Sequence, residues 1–231
     1  MAGSRSLVLA VALFACATPL RAQLQPTDTL AQRVAPCTAC HDDTGRRGRD
    51  AYYPRIAGKP AGYLFNQLVH FREGRRYYAL MTYLVDHMTD SYVTEIAEYF
   101  ANLERPYPAP PPSKASPNVL ERGRVLALEG DRNEKLPSCA ECHGRSLTGI
   151  APAIPAVVGL PRDYVSAQLN NWKAGVRRSL APDCMADIAK RMRADDITAV
   201  ATWLATQPVL GKAIVATERL PLECGVVTPA K

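Results

Sequence analysis

Apolar positions along this chain fall at helical spacing, and they do so twice. Leu64, Leu68 and Phe71 stand at i, i+4, i+7, as do Val165, Leu169 and Trp172, and each run stops at a glycine, Gly74 or Gly175. Val93, Ile96, Ala97 and Phe100 occupy i, i+3, i+4, i+7, a pattern that Ile197, Val200, Ala201 and Leu204 repeat. A further helix is predicted over residues 119–128, ending near Gly130. No run alternates apolar and polar residues as half-buried strands would. The pattern predicts an all-α chain.

The repetition extends beyond the apolar positions. Pro54, Gly58, Pro60, Tyr63, Gln67, Leu68 and Gly74 recur 101 positions on as Pro155, Gly159, Pro161, Tyr164, Gln168, Leu169 and Gly175. Met81, Met88, Thr94, Ala97 and Ala101 recur at an offset of 104 as Met185, Met192, Thr198, Ala201 and Ala205. A period near 100 residues marks a duplicated domain rather than a solenoid. The predicted domains cover 23–105 and 118–206, and a Pro-rich linker at 106–117 favours stiff, extended backbone. A tail at 207–231 shows little periodicity, and Cys224 offers a way to pin it onto the second domain.

Residues 1–22 read as a signal peptide: Arg5, an apolar stretch over 7–17, and a cleavage site at Leu20-Arg21-Ala22. Leu13-Phe14-Ala15-Cys16 offers a lipid anchor as the alternative, though Phe14 fits that pattern poorly. Export places the chain in an oxidising compartment. No other stretch is long and apolar enough to span a bilayer.

The chemistry sits in two short signatures, Cys37-Thr38-Ala39-Cys40-His41 and Cys139-Ala140-Glu141-Cys142-His143. Two thiols one helical turn apart can add to the two vinyl groups of one porphyrin, and the histidine beside them ligates the iron. Two such sites predict two covalently attached c-type haems, with His41 and His143 as proximal ligands. The formal charge is +6, or +4 without Arg5 and Arg21 of the leader, and about four haem propionates would offset it. The basic balance is therefore no argument for nucleic acid. Of seven cysteines, Cys184 and Cys224 are left outside the leader and the haem sites, either as a disulfide or as two unrelated thiols.

Each iron needs a second ligand or an open position. His70 and His87 have no histidine counterparts in the second half, whereas the methionines come in duplicated pairs. Met88 and Met192 fall just before the final helix of each half, a core position that methionine fills well. Met81 and Met185 lie in what reads as an irregular segment able to cross the distal face, and they are the expected axial ligands. Core packing remains open for both pairs, His87 competes at the first haem, and a Cys184 thiolate competes at the second. His70 reads as a surface or satisfied residue. Pro54 and Pro155 are candidates to supply the carbonyl that orients each proximal imidazole, or else they simply turn a loop. Tyr63, Tyr164, Gln67 and Gln168 either reach propionates or pack.

Taken in order, the leader, Cys-x-x-Cys-His, Pro54-Arg55-Ile56-Ala57-Gly58, Tyr63-x-x-x-Gln67-Leu68, Gly74-x-Arg76, Met81 and the final amphipathic helix form a pattern given twice. Over roughly residues 30–206 the chain resembles the two-haem class I cytochromes c of the cytochrome c4 type. The resemblance implies two cytochrome c folds packed together, His/Met ligation through Met81 and Met185, and electron transfer in the periplasm rather than catalysis. It implies redox partners, through which it can associate with a membrane: a quinol-oxidising complex or periplasmic dehydrogenase upstream and a terminal oxidase or reductase downstream. The alternative is a cytochrome subunit of a larger oxidoreductase, or a sulfur-compound dehydrogenase with unusual ligation at the second haem. Cys184 and the Cys224 tail lie outside the pattern.

Overall fold

The computed structural model describes residues 28–41, 53–215 and 222–225. The expected leader at 1–22, with Cys16, lies outside the described residues, as do 216–221 and 226–231 of the tail. The first half carries α1 (Leu30–Arg33), α2 (Ala35–His41), α3 (Ala61–Arg72), α4 (Ala79–Val85) and α5 (Asp90–Ala101). The second half carries α6 (Pro117–Leu128), α7 (Cys139–His143), α8 (Arg162–Lys173), α9 (Cys184–Arg191) and α10 (Ala194–Ala205). Among the described residues no helix is long and apolar enough to cross a membrane.

The periodic runs become the core of each half. α3 packs on α5 through Leu64, Ile96, Ala97 and Phe100. α8 packs on α10 through Val165, Leu169, Ile197, Val200 and Leu204. Gly74 and Gly175, at φ of +70° and +73°, turn the chain just past α3 and α8 in a conformation that costs a glycine little. α6 starts with Pro117 at its first turn and crosses α10 at very short range. A Cβ at Gly123 would stand 2.2 Å from the Ala199 carbonyl oxygen, so the two helix backbones touch there.

Three features depart from the sequence expectation. First, Gly149–Ala151 (β1), Ile154–Pro155 (β2) and Ile214–Val215 (β3) form a small sheet in the order β2-β1-β3. β1 runs antiparallel to β2 and parallel to β3, with Ile150 opposite Ile214. Strands of two or three residues are too short for alternation to show in sequence. Second, Met81 and Met185 lie within α4 and α9 rather than in irregular segments. Ala79 to Val85 is apolar enough to pack as a helix, and the Asp183 side chain caps α9 by accepting from the Ala186 N–H at 3.1 Å. Third, the proline segment is not a free spacer. The Arg55 guanidinium lies 3.7 Å over the Tyr107 ring and donates to the Arg105 carbonyl at 2.8 Å, fastening the segment to the first half.

Candidate haem centres

The first signature forms the C-terminal part of α2, and the second is the whole of α7. α7 is built by its own residues: Ser138 Oγ accepts from the Glu141 N–H at 3.2 Å, and Glu141 Oε1 accepts from the Ser138 N–H at 2.9 Å. This reciprocal cap fixes Cys139 and Cys142 one turn apart, with buried His143 at the end. α2 presents Cys37, Cys40 and buried His41 in the same way.

All four signature cysteines are free of disulfides. Burial pushes the Cys139 thiol up to about 11 and raises Cys37 and Cys142 as well. A redox dithiol or a zinc thiolate needs the opposite shift. Among the described residues no group of three or more His, Cys, Asp and Glu is arranged to hold a bare metal ion. Protonated thiols in an apolar wall suit thioether chemistry instead.

The imidazoles are oriented by backbone. His41 Nδ1 donates to the Pro54 carbonyl at 2.9 Å, and His143 Nδ1 donates to the Pro155 carbonyl at 2.8 Å. A carbonyl oxygen only accepts, so Nδ1 carries the proton and Nε2 keeps the lone pair that a metal requires. Burial lowers the His143 pKa and holds the ring neutral.

Each signature opens onto an apolar cavity. The first is lined by Cys37, Cys40, His41, Tyr53, Met81 and Met88 among others. The second is lined by Cys139, Cys142, His143, Met185, Cys184 and Cys224. Met192 is buried in the second hydrophobic core and does not line its cavity. The His87 side chain is 97% exposed and does not line the first cavity. Cys184 is bonded to Cys224, so it offers no thiolate.

The two cavities share a wall. Tyr63, Gln67, Tyr164, Gln168 and Arg177 line both. Arg76 donates to Gln67 Oε1 at 3.1 Å, to Tyr164 Oη at 2.9 Å and to Gln168 Oε1 at 3.1 Å. Arg177 donates to Gln168 Oε1 at 2.6 Å and Gln67 Oε1 at 2.8 Å. Arg76 lies over the Phe71 ring and Arg177 over the Trp172 ring, at 4.6 and 3.7 Å. Every member of this seam has its counterpart 101 residues away, so the two halves face each other through matching residues.

The seam also tests whether haem fits. Arg177 and Lys59 are buried cations whose hydrogen-bond partners are neutral oxygens. Burial lowers the pKa of Arg177 to about 10 and that of Lys59 to about 7. Cations so placed need anions to offset their desolvation. Trp172 Nε1, in the wall of the second cavity, is buried with no hydrogen-bond partner among the described residues. Haem propionates supply both the anions and acceptors, so the residues present fit the group.

Several of these residues were not separable in the sequence. Arg76 was visible only as part of Gly-x-Arg, although its recurrence as Arg177 at the common offset was the available signal. Lys59 has Leu160 as its counterpart, so no repeat marked it. His70 is corrected outright: it is 2% exposed, and its Nε2 has no hydrogen-bond partner among the described residues. Burial, with Arg75, Arg177 and Arg76 nearby, lowers its pKa to about 4.

No family model matches the chain. It is 39% identical over 177 residues to the thiosulfate dehydrogenase electron acceptor of Thiomonas intermedia, covering 76% of this chain and 80% of that protein. It is 30% identical to the cytochrome c4 of Pseudomonas aeruginosa, covering 74% of this chain and 84% of that one. Among solved structures, thiosulfate dehydrogenase (TsdBA) from Marichromatium purpuratum superposes with a TM-score of 0.67 at 32% identity. That match takes in 75% of this chain, which spans only 36% of the solved one. With its paired haem-attachment helices, its seam of matched residues and these likenesses, the chain belongs to the cytochrome c4 family and is a dihaem c-type electron-transfer protein rather than a catalyst.

Proposed function

We propose that this cytochrome takes electrons in the periplasm from a sulfur-compound dehydrogenase of the thiosulfate-dehydrogenase class and passes them to a terminal oxidase or reductase. The leader at 1–22 carries the export signal, haem domains occupy 23–105 and 118–206, the linker lies at 106–117 and the tail at 207–231. His41 with Met81 and His143 with Met185 would hold the two irons. Met81 and Met185 line the two cavities, while His87 is exposed and Cys184 is tied up in a disulfide. Bound haem supplies a one-electron iron couple, and thioether ligation favours a high potential and a closed iron.

The observation that carries the reading is the shared wall: Tyr63, Gln67, Tyr164, Gln168 and Arg177 belong to both cavities. Such a seam lets one half receive an electron while the other delivers one. The likeness to electron acceptors of thiosulfate dehydrogenase supports the donor class. A quinol-oxidising complex is the competing donor.

The test mixes oxidised protein with a thiosulfate dehydrogenase and thiosulfate, following haem absorption. Both haems are expected to be reduced, with two electrons taken up per chain. Reduction no faster than in thiosulfate alone would remove this donor. A second reading, a subunit of a larger oxidoreductase, is favoured by one finding: the matched structure is a much longer chain. Co-purification with a dehydrogenase separates the two readings.

A further inference from the structure

The distal side of the second half carries a device the first half lacks. Cys184 opens α9, immediately before Met185, and is bonded to Cys224 in the tail, 40 residues on. Both cysteines line the second cavity together with Met185. The tail is also held through its backbone, since the Gly225 N–H donates to the Pro182 carbonyl at 3.0 Å. A Cβ at Gly225 would stand 2.4 Å from the Ala181 carbonyl oxygen, so the tail lies directly on the turn that precedes α9. Asp183 braces that turn by accepting from the Ser179 N–H at 2.6 Å and the Ala186 N–H at 3.1 Å. At the matching place in the first half, 104 residues earlier, Leu80 is 55% exposed.

We propose that the Cys184–Cys224 disulfide selects the ligand of the second haem, clamping α9 so that Met185 meets the iron and withholding the Cys184 sulfur. The inference rests on the axial assignment of Met185 made above. Cys184 and Met185 are successive residues of α9 and both line the second cavity, so the two sulfurs open onto the same space. The two sulfurs differ strongly as ligands. A thiolate is a strong anionic donor to ferric iron, and a thioether is a weak neutral one that favours the ferrous state. Bonded to Cys224, the Cys184 sulfur has no proton to lose. A dithiol reverses this: it transfers two electrons and two protons, giving two cysteine thiols and its own cyclic disulfide. The freed Cys184 sulfur then stands beside Met185 in the cavity wall as a competing ligand, and α9 is no longer tied to the tail.

The test uses the full holo-protein. Cys224→Ser frees Cys184, and the oxidised variant is expected to lose about half of its methionine–iron charge-transfer intensity, because one of two haems changes ligand. It should gain a low-spin thiolate signal by electron paramagnetic resonance, while the potential of one haem falls and the other stays. The Cys184→Ser/Cys224→Ser double variant removes clamp and competitor together. It should show no thiolate signal and should lose methionine ligation at a lower temperature than the parent. Dithiol treatment of the parent chain, followed by removal of the reagent and reoxidation of the irons with ferricyanide, repeats the first measurement without a substitution. Full charge-transfer intensity and unchanged potentials in Cys224→Ser and in the dithiol-treated chain would overturn the proposal. Met185→Ala with the disulfide intact separates the two layers. Unchanged intensity there would overturn the axial assignment and this inference with it. Half intensity there, with full intensity in Cys224→Ser, would overturn the role of the disulfide alone.

Discussion

The two halves build the same cavity and close it by different means. In the first, the helix leading to the haem signature is only Leu30–Arg33, and exposed ion pairs from Arg33 to Asp28 and Glu95 hold it. Such pairs contribute at most about 1 kcal/mol each. In the second, the leading helix runs Pro117–Leu128 and meets α10 backbone to backbone at Gly123. Arg122 bridges Asp131 and Asp196, a three-residue strand joins the tail through β3, and the disulfide covers the distal side. The duplication therefore marks residues that line the cavities and the seam, while closure has diverged freely.

The largest expected effect follows from that contrast. Gly123→Val drives a side chain into Ala199 and Trp203 and should destabilise the second half by about 3 kcal/mol, or on the order of 15 °C in its melting temperature. The first half should melt as before when each haem is followed separately. A matching loss in the first half would mean that the halves do not unfold independently.

A smaller effect is expected at the seam, where the halves are alike. Arg177→Met removes a buried cation beside both cavities, which leaves the oxidised iron less disfavoured. Both potentials should fall by on the order of 60 mV, a tenfold change in each reduction equilibrium. A potentiometric titration reads this, and a shift confined to one haem would break the symmetry argued for the seam.

The smallest effect at neutral pH belongs to His70, whose counterpart is Asn171. Burial has lowered its pKa from 6.5 to about 4, so between those values the unfolded chain binds a proton that the folded chain does not. Stability should fall as pH drops from about 6.5 to about 4 and level off below. His70→Asn, which copies the second half, should remove that slope in acid-unfolding curves. An unchanged slope would assign the acid sensitivity elsewhere.

What could be read from the sequence follows from the range of each interaction. The α3, α5, α8 and α10 cores are local, periodic and duplicated, and they lie at the expected positions. The signatures are five residues long and needed no fold to be recognised. The β3 contact depends on a chain return of more than sixty residues onto strands of two or three, which leaves no periodic trace. His70 illustrates the remaining gap. Its position beside Gln67 and Phe71 is at the edge of the α3 apolar face, and Arg177 of the other half lies close enough to lower its pKa. One half read alone leaves that edge in water.

The seam has a further consequence when it is viewed as an assembly. Arg76 reaches Tyr164 and Gln168 of the other half, and Arg177 reaches Gln67 in return, so each half offers the same patch to the other. This is the isologous contact of a two-fold dimer, written into one polypeptide. The proline segment then acts by raising effective concentration rather than by shaping the contact. Each substitution in the patch leaves its twin unchanged, so the tether allows the two haem environments to diverge one residue at a time, which a true homodimer cannot do.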